Sequence, residues 1–203
     1  MKIIKILTLV FILGSLSFLI SCKNDDPAPE NIPELITKVI LKFAPTGGGT
    51  TITVTATDPD GEGSQDLQID GPINLTKLTT YTLTIEFING LYNPGADGYD
   101  VSKEVLAEGD EHQLFFSWTS GAFSSPSGSG NIGSAPGTVN YQDEDINSLP
   151  IGLTTSWTTS ADSGTGKTFR VLLKHQPDIK STTSTSLDGE SDLDITFFPL
   201  NVN

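Results

Sequence analysis

Cysteine occurs once in this 203-residue chain, at Cys22. An intrachain disulfide is therefore excluded, and in an oxidising compartment the fold must hold by its core alone. Histidine is nearly as scarce, with only His112 and His175. Two histidines leave little room for a catalytic triad, and Gly-x-Ser-x-Gly and His-Glu-x-x-His are both missing. These absences argue against an enzyme. Positive charge is also short: 11 Lys and Arg face 25 Asp and Glu, a net charge of −14. Such a surface repels phosphate backbones and anionic headgroups, so nucleic acid is a poor partner. The longest apolar run falls short of the about 20 residues that a membrane-spanning helix needs.

That run, Ile6 to Ile20, is broken only by Thr8, Gly14, Ser15 and Ser17 and follows the basic start Met1-Lys2-Ile3-Ile4-Lys5. A charged start before a short apolar stretch matches a secretory signal. It ends in Leu19-Ile20-Ser21-Cys22, which resembles the lipobox of bacterial lipoproteins. The resemblance implies a signal peptide over 1–21, cleavage before Cys22, and lipid on that cysteine as the membrane contact. Two or more acyl chains, palmitate among them, anchor durably because each buried methylene contributes about 0.8 kcal/mol. The next residues, Lys23, Asn24, Asp25 and Asp26, resemble the export signal of Bacteroidota surface lipoproteins. That implies the cell surface of the outer membrane, with the periplasmic face as the alternative. Pro27, Pro29 and Pro33 make 22–33 an extended tether.

Residues 34–203 are long enough for one well-buried domain. Thr37, Val39, Leu41 and Phe43 alternate with Ile36, Lys38, Ile40 and Lys42. The same period of two runs through Ile52-Val54-Ala56, Tyr81-Leu83-Ile85-Phe87, Leu114-Phe116-Trp118, Leu153-Thr155-Trp157, Phe169-Val171-Leu173 and Leu193-Ile195-Phe197. Alternation rich in threonine and aromatics marks half-buried strands. Only Val101–Ala107 offers a helical turn. Many strands without a helical layer predict an all-β, antiparallel β-sandwich. Leu75 to Leu83, with Tyr81, resembles the tyrosine corner of immunoglobulin-like and fibronectin III domains, which implies a sandwich of that kind. The Ser/Gly-rich segment 119–137 and the polar segment 181–192 read as flexible loops.

Several constellations bear on chemistry. Ala161 to Thr168 fits a loose P-loop pattern, but a strand pattern follows it where a phosphate cradle needs a helix, so a hairpin turn is expected and nucleotide is excluded. Asp58, Asp60, Glu62 and Asp66 alternate around Gly61 and are candidate calcium ligands; Asp143-Glu144-Asp145 is a weaker case. Both loops also suit ordinary tight turns. His112 opens the Leu114-Phe116-Trp118 face and His175 closes the Phe169-Val171-Leu173 face. If these strands pair antiparallel, the imidazoles meet at one end of the domain near Glu111 and Asp178. Such a cluster could bind a transition metal or haem iron; rim histidines bonded to backbone are the alternative. Trp118, Trp157, Tyr141 and Phe123 would stack on sugars if exposed, giving a carbohydrate-binding or adhesion module, but alternation assigns both tryptophans to the core.

Together the lipobox, Val39–Thr57 with its Gly-Gly-Gly turn and Asp-Pro-Asp-Gly, Gly109 to Phe116, and Leu173-Lys174-His175-Gln176-Pro177-Asp178 resemble a family of small β-rich Bacteroidota lipoproteins. These often carry the label "type 1 periplasmic binding fold", which implies an α/β chain about twice this length. Members are commonly encoded beside TonB-dependent receptors. The resemblance implies a non-catalytic accessory or ligand-binding partner of such an uptake system.

Overall fold

The computed structural model describes residues 34–58, 60–61 and 66–203. Cys22, the export-signal residues Lys23, Asn24, Asp25 and Asp26, and the calcium candidate Glu62 lie outside the described residues. The described chain is an all-β sandwich with one short helix. Its strands are β1 (Lys38–Pro45), β2 (Ile52–Thr57), β3 (Gln68–Asp70), β4 (Ile73–Leu75), β5 (Thr80–Ile88), β6 (His112–Trp118), β7 (Phe123–Ser125), β8 (Thr154–Thr159), β9 (Gly164–His175) and β10 (Glu190–Val202). One sheet runs β3-β2-β1-β5-β8-β7 and the other β4-β10-β9-β6. Neighbours are antiparallel except β4 and β10.

Period-two alternation decides which side chains enter the core. Val39, Leu41 and Phe43 are fully buried, while Ile40 and Lys42 between them are only partly so. Trp157 is the hub, with ring centroids 4.9 Å from Trp118, 4.8 Å from Phe123 and 5.1 Å from Phe169. Such aromatic contacts add about 0.5–1.5 kcal/mol each beyond the area they bury. This packing corrects the sugar-stacking reading, because Trp118, Trp157 and Phe123 all lie inside the sandwich. Tyr141 is also occupied, its hydroxyl donating to the Leu114 carbonyl. The Tyr81 hydroxyl accepts a hydrogen bond from the Thr76 amide at 2.9 Å, the tie that the tyrosine-corner resemblance implies.

Segment 119–137, read as a flexible loop, carries β7 and is laced to β6: Trp118 N–H donates to Ser129, and Asn131 N–H to Phe116. Its glycines serve close backbone approach. A Cβ on Gly130 would sit 2.1 Å from the Phe116 carbonyl oxygen. At 161–168 the expected hairpin is corrected: β8 and β9 belong to different sheets, so the chain crosses the sandwich there. A strand follows, as alternation predicts, and no phosphate cradle forms.

The helix α1 (Val101–Ala107) sits where the sequence places its single turn. Val101 and Val105, four apart on one face, are buried. The Ser102 hydroxyl accepts from the Phe87 amide at 2.7 Å and pins α1 to β5. Half-buried Glu104 flanks this face, and Glu108 follows as the C-cap.

Candidate metal centre

The pairing of β6 with β9 sets His112 directly opposite His175, as the antiparallel reading requires. Their rings stack, with centroids 4.4 Å apart and planes 5° from parallel. The end of β6 is fixed by the Glu108 carbonyl, which accepts from the Glu111 and His112 amides and from His112 Nδ1 at 3.1 Å. With Nδ1 donating, the Nε2 lone pair of His112 is free. His175 Nε2 lies 3.2 Å from a Glu111 oxygen. With Nε2 donating there, the lone pair of His175 falls on Nδ1. Each ring thus has one nitrogen held by an acceptor and one left over, the arrangement that orients metal-binding histidines.

Strand β10 supplies the third group. Ser191 pairs with Lys174 and Leu193 with Leu173, so Asp192 is an extra residue in a β-bulge. The bulge turns its carboxylate to the histidine side. Asp192 Oδ2 lies 3.6 Å from His112 Nε2, and both side chains are completely buried. No side chain donates to either Asp192 oxygen or to His112 Nε2. Donor atoms of His112, His175 and Asp192 all lie within 4.8 Å of one another. Ligands of a tetrahedral zinc ion, each about 2.0–2.1 Å from the metal, sit about 3.3 Å apart. The stacked rings hold their lone pairs in parallel planes, so closing on an ion requires the imidazoles to turn towards each other as the carboxylate moves in.

Burial dominates the protonation states. It drives the His112 pKa down to about 4; the Glu108 carbonyl works against it and the neighbouring His175 with it. His112 is thus a neutral donor at neutral pH. Burial raises the Asp192 carboxyl to about 6, with the positive potential of His175 and a hydrogen bond from the Glu34 amide opposing. At pH 7 a mostly ionised carboxylate is consequently held out of water with only the Glu34 amide donating to it, a state that costs free energy unless a cation joins it.

A second donor group shares His112. Glu34, Glu108 and His112 also bring one ligand atom each within 4.8 Å. Glu34 is raised to about 7 by burial, by its hydrogen-bonded neighbour Glu104, and by the repulsion of Glu104, Asp192 and Glu108.

Other residues singled out in the sequence serve structure. Asp58 Oδ1 accepts from the amides of Asp60 and Gly61, closing a turn, and Asp66 is exposed. Among the described residues neither they nor Asp60 join an ion-holding group. Asp143 accepts from the amides of Gly152 and Thr154. Asp145 accepts from Asn147 and Leu149 and pairs with the buried Lys180 at 2.8 Å. Backbone amides and Lys180 thus engage the second loop's oxygens, and neither Asp143 nor Asp145 joins an ion-holding group among the described residues. Glu111 lies beside His175 as expected, whereas Asp192, not Asp178, completes the group. Alternation from Leu193-Ile195-Phe197 places Asp192 on the outer face, and nothing in the sequence signals the bulge that reverses it. Glu34, at the end of the tether, carried no motif. No protein-family model, curated protein or solved structure matches the chain.

Proposed function

We propose that this is an exported, lipid-anchored, non-catalytic binding protein that holds a late transition-metal ion between His112, His175 and Asp192. What carries the reading is the buried pair of Asp192 and His112 Nε2, three lone-pair-bearing atoms to which no side chain donates. Two imidazoles and a carboxylate suit zinc, copper or nickel better than calcium or magnesium. An ion fits better than haem. Imidazoles on opposite faces of a porphyrin iron stand farther apart than the 4.4 Å between these stacked rings. A binding role fits better than catalysis, because the His112–Asp192 pair is sealed from solvent. Lipid on Cys22 would hold the sandwich at the outer membrane, facing the cell surface, where passing an ion to a TonB-dependent receptor is the accessory task. The Tyr81–Thr76 tie supports placing the sandwich among immunoglobulin- and fibronectin III-like domains.

Isothermal titration of the purified protein with zinc, copper, cobalt(II), calcium and haemin tests this. One equivalent of a late transition metal should bind to the natural protein and none to His112→Ala. Absence of heat with zinc, copper and cobalt would overturn the reading.

A further inference from the structure

We infer that the ion reaches the buried site through a carboxylate-lined cleft beside α1, where Glu34, Glu104 and Glu108 form an outer binding position that passes it to His112. This rests on the metal-binding reading above and adds a second site and a route to it. The cleft, about 500 Å³, is lined by Asp97, Asp100, Glu104 and Glu108. Its one basic lining residue, Lys103, pairs with Asp100 at 3.3 Å. Its lining residue Glu108 leads on to His112: ligand atoms of Glu34, Glu108 and His112 lie within 4.8 Å of one another.

The acids here oppose the local physics of folding. Glu104 and Glu108 are four apart at the end of α1, a like-charge spacing that destabilises a helix. Glu108, the C-cap, stands at the negative end of the helix dipole, where lysine or arginine is favoured, and the last turn has no base. Glu34 adds a third carboxylate against them. A cation relieves all three conflicts at once. The second observation is His112 itself: its side chain is completely buried, its Nε2 is unpartnered, and it belongs to both donor groups. One shared ligand lets an ion exchange Glu34 and Glu108 for His175 and Asp192 without being released. The oxygen-rich outer position accepts many divalent ions, and the imidazole-rich inner one retains late transition metals. Single-sign clefts of this kind raise cation on-rates about tenfold or more.

Stopped-flow uptake of cobalt(II), followed by its visible absorption, tests the route in the full chain. A Glu104→Gln/Glu108→Gln variant should take up and release cobalt about tenfold more slowly, with Kd changed less than about threefold and one ion still bound. Uptake by the natural protein should slow with added salt, and that dependence should shrink in the variant. Unchanged uptake would overturn the route. So would faster release at unchanged uptake, which would make the two glutamates permanent ligands. Natural protein that takes up no cobalt would instead sink the underlying metal-binding reading, an outcome distinct from both. The variant relieves repulsion, so its melting temperature should be no lower than the natural protein's.

Discussion

Replacing Asp192 by asparagine keeps the shape of a buried side chain and removes its charge, so it separates the cost of the empty site from the value of the filled one. The carboxyl is raised to about 6 from an ordinary 3.8. A folded-state pKa above the unfolded one means that Asp192 contributes stability below pH 3.8 and loses it as pH rises through 6. At about 1.4 kcal/mol per pH unit, the ionised carboxylate costs about 3 kcal/mol at pH 8. Its side chain is completely buried, so solvent screening removes little of that. Burying the amide returns about 1 kcal/mol of the gain, which leaves Asp192→Asn more stable by about 2 kcal/mol. For a domain of this size that is a rise of roughly 4–8 °C in Tm. Thermal unfolding of both proteins by circular dichroism in EDTA, at pH 8 and pH 4, reads it directly. The gain should be present at pH 8 and gone at pH 4, where the natural carboxyl is protonated. With zinc at 100 times Kd the order should reverse, because the natural protein gains about 2.7 kcal/mol from ligand that the variant cannot hold. A variant less stable than the natural protein at pH 8 in EDTA would refute the reasoning, since the carboxylate would then already be compensated.

Three further substitutions probe the frame around the site. Lys180→Met strands the buried Asp145 carboxylate, and urea unfolding should show a loss of about 3–5 kcal/mol, partly restored by adding Asp145→Asn. Gly189→Ala forces a Cβ to within 2.1 Å of the His175 carbonyl oxygen at a φ of +72°; chemical denaturation should register a loss of at least about 2 kcal/mol, and metal affinity should fall as His175 is displaced. Tyr81→Phe leaves the Thr76 amide without its acceptor, which calorimetry should register as about 1–3 kcal/mol, with metal binding unchanged.

The alternation of Val39-Leu41-Phe43, Tyr81 to Phe87 and Leu114-Phe116-Trp118 was enough to assign the β-sandwich and its buried tryptophans, because the side-chain period of a strand is a local property of the backbone. It likewise set His112 and His175 at strand ends on the core face, and antiparallel pairing then stacked them. The short strands β3, β4 and β7 were not legible, since three residues carry too little period to count. Asp192 was out of reach for a different reason. A single extra residue in β10 inverts the face that alternation assigns, and only the pairing of β10 with β9 reveals it. Glu34, Glu104 and Glu108 were scattered acids until the folded chain laid the start of the domain against the end of α1. Local periodicity thus determined the layers and the two histidines; register and long-range contact decided which carboxylates meet them, because both depend on partners far along the chain.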